Sequence, residues 1–320
     1  MTSKDHARTL CAVQGENGGN PQIACWGGQK MIIDAHYHLD ECMETVDMLL
    51  DHMNQYDISR VALMPPLNTP FTIDWLTMKS TGPFQRMLNS RWHKLGLRIY
   101  RSTVTGDGKY VIGARRYPIY DNPDNESIAR VMQAHPDKFS GWIAVNPSVT
   151  EPVVELEKRM GEADWIGVKT HPFMYRHPVA MLDEVAAYCV EKGWPILMHL
   201  GTNRARGDYR YLPDRHPKLN IIYAHAGIPF FRNLWDYAKE KDNVYVDLSC
   251  SLLDKSILFG VVKALGAGKC LYGSDSPYGY PGADGRHDYG KVLNNILQLP
   301  VSDEDKKRIL GDNFRKITGT

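Results

Sequence analysis

Two histidines lie two positions apart in the stretch KMIIDAHYHLDE, which spans residues 30–41. The apolar run from Met31 to Ile33 predicts the start of a buried strand, and side chains two positions apart in a strand lie on the same face. His36 and His38 would therefore project side by side at the end of that strand. Two neutral imidazoles aimed at one point form half of a metal site. The alternative, which this stretch alone leaves open, is one hydrogen-bonded strand-end histidine with an accidental neighbour.

Further side chains that can bind a metal or transfer a proton follow other short apolar runs. GVKTHP carries Lys169 and His171, PILMHLGT carries His199, NIIYAHAG carries His225, and CLYGSDSPYG carries Asp275. Imidazoles with one carboxylate, and no thiolate near these motifs, suit Zn²⁺, Mn²⁺, Fe²⁺ or Co²⁺. We expect Zn²⁺ first and Mn²⁺ as the alternative, because zinc sites of this kind commonly leave one position open for water. Water bound there becomes a nucleophile at neutral pH.

The elements that must position these residues are short strands that alternate with amphipathic segments. Eight runs predict strands: Met31–His36, Ile58–Met64, Phe139–Val145, Trp165–Lys169, Pro195–His199, Leu219–His225, Val244–Leu248 and Cys270–Ser274. The segments between them have apolar positions three and four residues apart, and two of them end at Gly193 and Gly266, as helices often do. This alternation predicts the α/β class and a (β/α)8 TIM barrel, in which all strand C-termini face one mouth. A doubly wound open sheet is the alternative, but no Gly-rich phosphate loop follows any strand.

The expected domain organisation is one barrel over residues 31–320, preceded by a Gly- and Asn-rich N-terminal extension over residues 1–30. A long insert, about residues 65–124, separates the second strand from a helix that begins near Asn125. Loops of this length inside a compact domain are usually functional. We therefore expect the insert to act as a lid or as a substrate-binding element at the barrel mouth.

Composition limits the classes of partner and compartment. The chain has 38 Lys and Arg against 37 Asp and Glu, so its charge suggests neither a nucleic-acid nor a membrane partner, and its apolar runs are too short to span a bilayer. Six cysteines without a CxxC pair, and an N-terminus without the apolar core of a signal peptide, indicate reduced thiols in a cytoplasmic protein. The N-terminal extension and the insert could also form an interface in a homo-oligomer.

The set DAHYH, GVKTHP, MHLGT, YAHAG and YGSDSPYG, in this order and spacing, resembles the amidohydrolase superfamily. Within it the chain is similar to the amidohydrolase 2 branch of metal-dependent TIM-barrel hydrolases, which also holds relatives of aminocarboxymuconate semialdehyde decarboxylase. The resemblance runs from Met31 to the end of the chain and includes Asn313 in a closing helical segment.

The resemblance implies that one metal ion is held by four side chains, namely His36, His38, His199 and Asp275. It further implies that Asp275 takes a proton from the attacking water and that His225 is a free acid, base or substrate-polarising group. Lys169 is the open position. As a carbamate it would bridge two metal ions; otherwise it could bind a substrate carboxylate or pair with Asp275. We expect one ion, and two only if Lys169 is carbamylated.

The substrate is expected to be a small, anionic or aromatic molecule. Arg115 and Arg116 in GARRYP, Arg204 shortly after His199, and His171 are the candidate substrate-binding residues, because an arginine fork fits a carboxylate bidentately. A merely solvated charged edge, and a His171 that is only hydrogen-bonded before Pro172, remain the alternatives at these positions.

Two reactions use the same ligands. The first is hydrolysis of a C–N or C–O bond in an amide, lactone or ester. The second is non-oxidative decarboxylation of an aromatic or unsaturated acid. The His-x-His pair together with Lys169 favours hydrolysis. A metal-binding protein without catalysis is disfavoured, because every candidate ligand and base is present.

Overall fold

Eight short, buried strands run parallel to one another and form the main sheet. The computed structural model describes residues 31–71, 83–84, 86–88, 90–251, 253–280 and 287–320. The eight strands are β1 (Ile32–His38), β2 (Ile58–Met64), β5 (Phe139–Val145), β6 (Trp165–Thr170), β7 (Ile196–Met198), β8 (Ile221–Tyr223), β9 (Val244–Asp247) and β10 (Cys270–Leu271). Each of them hydrogen-bonds to the next in this order.

The two outer strands of this sheet also meet. Beyond β10, Ser276 forms a parallel bridge with Tyr37, and the Ala35 amide donates to the carbonyl of Tyr272 at 3.0 Å. The sheet is thus a nearly closed barrel, which confirms the predicted (β/α)8 architecture and excludes the open doubly wound sheet. The strand expectations agree with the structure to within a few residues at each end.

Helices follow most strands and pack around the barrel. They are α1 (Val46–Gln55), α2 (His93–Ser102), α3 (Asn125–Ala134), α4 (Pro152–Arg159), α5 (Asp183–Lys192), α6 (Tyr211–Arg215), α7 (Phe231–Lys239), α8 (Lys255–Leu265), α9 (Gly290–Leu297), α10 (Asp303–Lys307) and α11 (Asn313–Thr318). A π-helical turn, Arg308–Asp312, joins the last two helices. No helix in the described part of the chain is long and apolar enough to cross a membrane.

Local sequence accounts for the ends of several helices. Asp124 and Asp254 accept hydrogen bonds from backbone amides in the first turns of α3 and α8, as capping side chains do. Gly193 ends α5 in the left-handed region, at φ 68°, where a side chain would be strained. Gly266 ends α8 at φ 79°. The predicted helix ends at these two glycines are confirmed.

Two apolar clusters lie on the two sides of the sheet. The larger combines strand residues with the buried faces of the helices. The smaller contains strand residues, such as Ile33, Trp142 and Leu197, together with Phe314 and Ile317 of α11. Because it contains no residue of the helices α1 to α10, we assign it to the barrel interior, with α11 covering one end.

Asn313, predicted from the closing segment, ties this covering helix to the barrel. Its side-chain amide donates to the carbonyls of Ala267 and Cys270, at 2.7 and 2.8 Å. Because Cys270 begins β10, the contact helps to hold the start of the last strand.

The segment between β2 and α3 contains α2 and a two-stranded hairpin, β3 (Lys109–Ile112) and β4 (Arg115–Pro118). Residues 72–82 of the expected insert, and the whole expected N-terminal extension, lie outside the described residues. The role of the segment as a lid stays a prediction.

Candidate metal centre and active site

The two histidines at the end of β1 and the aspartate beyond β10 form a compact ligand set. The Nε2 atoms of His36 and His38 are 3.3 Å apart, and Oδ1 of Asp275 is 3.5 Å from the first and 3.7 Å from the second. Ligand bonds of about 2.0–2.1 Å at tetrahedral angles separate ligand atoms by about 3.3 Å. These three residues therefore fit around a single divalent ion of the Zn²⁺ or Mn²⁺ type.

Hydrogen bonds on the far side of each ring fix which nitrogen faces the site. Nδ1 of His38 lies 2.9 Å from the carbonyl of Pro65, which can only accept, so this nitrogen carries the proton. Nδ1 of His36 lies 2.8 Å from Oδ2 of Asp247 and donates to that carboxylate. Both Nε2 atoms are then unprotonated, and they lie 3.3 Å apart. A carboxylate behind a histidine in this way is typical of metal ligands.

Lys169 at the end of β6 supplies the nearest positive charge. Its Nζ is 3.0 Å from Nε2 of His36 and donates to that lone pair. Lys169 as a residue is 1% exposed, and burial lowers the pKa of its amino group from the usual value. Lys169 therefore places its amino group beside the nitrogen of His36 that would hold a metal ion.

His225 faces the same ligand set from the end of β8. The Ser249 hydroxyl donates to Oδ1 of Asp247 at 2.5 Å, so its oxygen accepts from Nδ1 of His225 at 2.8 Å. Nε2 of His225 is then the free acceptor, 3.9 Å from Oδ2 of Asp275. The two oxygens of Asp275 thus face different partners: Oδ1 faces the two histidines of β1, and Oδ2 faces His225.

His199, predicted as a fourth ligand, lies beside the cluster with its ring against those of its neighbours. Its ring stacks on that of His171 at 4.1 Å and meets His225 edge-on at 4.8 Å. Nε2 of His199 is 2.8 Å from the hydroxyl of Tyr100. His199 is not one of the grouped ligand atoms among the described residues. Its metal role therefore stays a prediction.

His171 is buried and anchored by the backbone. Its Nδ1 accepts from the amide of Met174 at 3.1 Å, as expected for a histidine at the start of a loop. The stacking on His199 places His171 at the edge of the cluster rather than among the grouped ligand atoms. Its assignment as a substrate-binding residue stays a prediction.

Backbone strain is concentrated at this mouth. His225 and Asp275 have positive φ angles of 55° and 58°, and Cys250 has one of 89°. Such angles cost free energy in residues with a side chain and are frequent at functional sites. Gly273 permits the close approach of β10 to β1, because a Cβ there would lie 2.7 Å from Cβ of His36.

Burial sets the protonation of the cluster. Burial lowers the pKa of five histidines in the cluster, because the charged imidazolium loses its hydration. They are His36, His38, His171, His199 and His225. The pKa of His38 falls to about 3. Burial also raises the pKa of Asp275, while the charge of Lys169 opposes that rise. Neutral imidazoles at ordinary pH are the form that binds a metal.

A cavity of about 330 Å³ has three arginines in its lining, Arg101, Arg176 and Arg206. It lies beside the cluster, because the ring of its lining residue Phe173 is 6.0 Å from that of His199. Arg115 and Arg116, predicted to bind substrate, are exposed on β4 and do not line this cavity. Arg204 is likewise exposed in the loop after β7. The predicted roles of these three residues stay predictions.

Sequence reasoning missed Asp247 and Cys250. Asp247 ends β9 and is completely buried. Cys250 brings a thiol to the side of His225 and Asp275, within a group of potential ligand atoms. The expectation that no thiol lies near the site was therefore wrong.

The fold and the site together define a TIM-barrel protein with a candidate metal centre at the C-terminal ends of its strands. The Amidohydro_2 family model, described as amidohydrolase, matches residues 104–318. The match covers more than half of the chain, and the chain therefore belongs to this amidohydrolase family.

Three known proteins illustrate what the chain is similar to. A 4-sulfomuconolactone hydrolase of Hydrogenophaga intermedia is 24% identical over 229 residues, which cover 63% of this chain and 73% of that protein. The manganese-bound dihydroxybenzoic acid decarboxylase of Polaromonas sp. JS666 has a TM-score of 0.55 at 16% identity, over 91% of this chain and 97% of the other. A probable 2-pyrone-4,6-dicarboxylic acid hydrolase of Acinetobacter baumannii has a TM-score of 0.59 at 13% identity, over 90% and 99%. These structural likenesses show the shared fold.

Proposed function

We propose that the protein is a metal-dependent hydrolase that cleaves a C–O or C–N bond of a small anionic substrate. The observation that carries this proposal is the position of Asp275, whose Oδ1 lies near the Nε2 atoms of His36 and His38 while Oδ2 faces His225. One carboxylate can then hold a metal ion with one oxygen and accept a proton with the other. Hydrolysis needs both functions at a single point.

In this proposal, Asp275 and His225 transfer the protons, and the other residues hold the ion. His36, His38 and Asp275 would hold one Zn²⁺, with His199 as the predicted fourth ligand and Mn²⁺ as the alternative ion. A divalent ion there supplies Lewis-acid polarisation of a carbonyl and of water. Oδ2 of Asp275 accepts the proton of the attacking water. Nε2 of His225, unprotonated because its Nδ1 donates to Ser249, polarises or protonates the substrate oxygen once it has received that proton.

Asp247 and Ser249 hold the side chains of His36 and His225 in their orientations. Asp247 accepts from Nδ1 of His36 and from the amide of His225, and Ser249 links it to the ring of His225. A single buried carboxylate thus holds a metal ligand and the proton carrier in fixed orientations. Lys169 is proposed to interact with a substrate oxyanion, or to become a carbamate if a second ion binds.

Lactones or esters that carry acidic groups are the proposed substrate class. The names of two similar proteins support it, since one is a sulfomuconolactone hydrolase and the other a pyrone dicarboxylic acid hydrolase. Decarboxylation is the second candidate, because the same fold occurs in dihydroxybenzoate decarboxylases. An anionic substrate would suit either reaction.

Oxygen-18 labelling separates the two reactions. The metal-loaded protein is incubated in labelled water with a panel of anionic lactones and esters and, separately, with hydroxybenzoic acids. We expect the label in the acid product and no CO₂ from the hydroxybenzoic acids. Release of CO₂ without any hydrolysis in the lactone and ester panel would contradict the proposal and leave decarboxylation.

A further inference from the structure

The cavity beside the metal centre is built from three separate parts of the chain. Arg101 lies on α2, Arg176 in the loop after β6, and Arg206 in the loop after β7; Val104, Thr105, Gly106, Phe173 and Thr202 complete the lining. Arg176 and Arg206 are partly buried, and Arg101 is exposed at the open side. The fold therefore gathers three guanidinium groups that are up to about 100 positions apart in sequence.

These guanidinium groups have no carboxylate partner in the described ranges of the chain. Arg176 donates to the carbonyl of Gly106, but its buried Nε has no hydrogen-bond partner among the described residues. The pKa of Arg206 is lowered by burial and by the charges of Arg176 and Arg101. Like charges held close together without a counter-charge destabilise one another, and a bound anion would relieve that repulsion.

The loop that carries Arg206 is fixed in place. The backbone amide of Arg206 donates to Oδ1 of Asn203 at 2.8 Å, and the carbonyl of Arg206 accepts from the amide of Gly201 at 2.9 Å. The amide of Val179 donates to the carbonyl of the preceding residue, Ala205, at 2.9 Å. The guanidinium of Arg206 is thus presented to the cavity by an ordered loop, as a preorganised binding group requires.

An aromatic pair connects the cavity to the histidines. Phe173, which lines the cavity, stacks on Tyr100 with ring centroids 4.5 Å apart and an interplanar angle of 8°. The hydroxyl of Tyr100 bonds to His199 of the metal centre. The ring of Phe173 therefore belongs both to the cavity wall and to the surroundings of His199, whose ring centroid is 6.0 Å away.

We propose that Arg101, Arg176 and Arg206 bind an oxyanion group, a carboxylate or sulfonate, that the substrate carries away from the bond that is cleaved. The proposal rests on the proposed hydrolase function and names its substrate class: molecules with an acidic group remote from the reacting carbonyl. The guanidinium forks supply paired N–H donors for such a group, and the stacked rings of Phe173 and Tyr100 suit a flat, conjugated body between the two ends.

Calorimetric titration tests the site without turnover. The purified full-length protein is titrated at low salt with isophthalate, benzoate, benzamide and inorganic sulfate. We expect isophthalate to bind at least tenfold more tightly than benzoate, and benzamide more weakly than both. Arg206→Gln and Arg176→Gln should each weaken isophthalate binding at least tenfold, while Arg206→Lys, which keeps the charge but loses the fork, should be intermediate.

Lys94→Gln is the matched control, because it removes one positive charge from the exposed side of α2. Equal binding of isophthalate by Arg206→Gln, Lys94→Gln and the wild type would overturn the proposal. Tighter binding of sulfate than of isophthalate, with the same dependence on Arg206, would overturn the substrate assignment in favour of a free anion.

The same titrations after chelator treatment separate this proposal from the hydrolase function. Isophthalate binding that still depends on Arg206, in a protein that hydrolyses nothing in the lactone panel, would support the anion site while the hydrolase function fails. Hydrolysis of neutral and anionic lactones at equal kcat/KM by the wild type and Arg206→Gln would overturn the anion site while the hydrolase function stands.

Discussion

The unprotonated Nε2 atoms of His36 and His38 lie 3.3 Å apart. Each ring is held in this state from behind, His38 by the carbonyl of Pro65 and His36 by the carboxylate of Asp247. Two acceptors at this distance repel unless a cation lies between or beside them. In the structure the Lys169 amine meets one of them. The arrangement is therefore built around positive charge, and a divalent ion suits it best.

Asp247→Asn should weaken metal binding by about 10–100-fold. Four donors converge on this carboxylate: Nδ1 of His36, the amide of His225, and the amide and hydroxyl of Ser249. The asparagine side chain keeps one acceptor oxygen, but its NH₂ group faces one of the groups that donate to Asp247. If that donor is His36, its proton moves to Nε2 and blocks the metal position. Competition with a chelating dye measures the affinity. Asp242→Asn, exposed just before β9, is the control, and equal affinity in both variants would contradict the orienting role of Asp247.

Asp275→Asn should lower kcat by about 10²–10⁴-fold while the protein stays folded, because an amide cannot take the proton of water. Metal content should fall less, since the amide oxygen can still contact the ion. The rate is measured with the lactone that the labelling experiment identifies, and circular dichroism follows the fold. Asp51→Asn on the exposed face of α1 serves as the control. An unchanged kcat would remove Asp275 from the role of base.

Tyr100→Phe should strengthen metal binding several-fold if His199 is the fourth ligand. The Tyr100 hydroxyl now lies 2.8 Å from Nε2 of His199, the atom that a metal ion would use. Removing the hydroxyl frees that nitrogen and leaves the stacking on Phe173 in place. Dye competition on Tyr100→Phe and His199→Ala gives the answer. No change of affinity in His199→Ala would exclude His199 as a ligand.

Stability should fall as the pH is lowered from about 6.5 to about 4, in part because of His177. Burial, together with the charge of Arg206, lowers the pKa of His177 to about 4 in the folded protein, whereas the unfolded chain keeps about 6.5. The unfolded state binds more protons in this interval, so the contribution of neutral His177 is complete above pH 6.5 and is lost toward pH 4. The loss is about 3 kcal/mol at most.

Urea unfolding of chelator-treated wild type and His177→Gln at pH 7 and 4.5 measures this contribution. Glutamine can keep the contacts to Thr170 and the carbonyl of Pro178 but takes up no proton. The variant should therefore lose less stability between the two pH values than the wild type. Identical losses would show that His177 does not titrate in this range.

Sequence predicted the barrel, and with it the approach of His36, His38 and Asp275, because both depend on strand ends. In a parallel barrel every strand C-terminus faces one mouth, so His36, His38 and Asp275 had to approach one another once eight strands were recognised. Asp247 escaped notice because a carboxylate at the end of a strand carries no spacing that marks it as the partner of a histidine more than 200 positions away. Only the closed barrel brings these two together.

The positions of the arginines could not be predicted from the sequence. GARRYP drew attention to Arg115 and Arg116, but the hairpin exposes both. Arg101, Arg176 and Arg206 come from one helix and two loops whose relative placement depends on tertiary packing. Loop conformation is set by contacts such as those of Gly201 with Arg206 and of Val179 with Ala205, which no local pattern encodes.

The metal content of the purified protein tests the central claim most directly. Elemental analysis is performed on the wild type, His36→Ala and His38→Ala, with His135→Ala, a half-buried histidine that precedes β5, as the control. We predict about one Zn²⁺ or Mn²⁺ per chain in the wild type and the control, and less than about a tenth of that in the two ligand variants. Full metal content in His36→Ala and His38→Ala, or no metal in the wild type after reconstitution, would contradict the account.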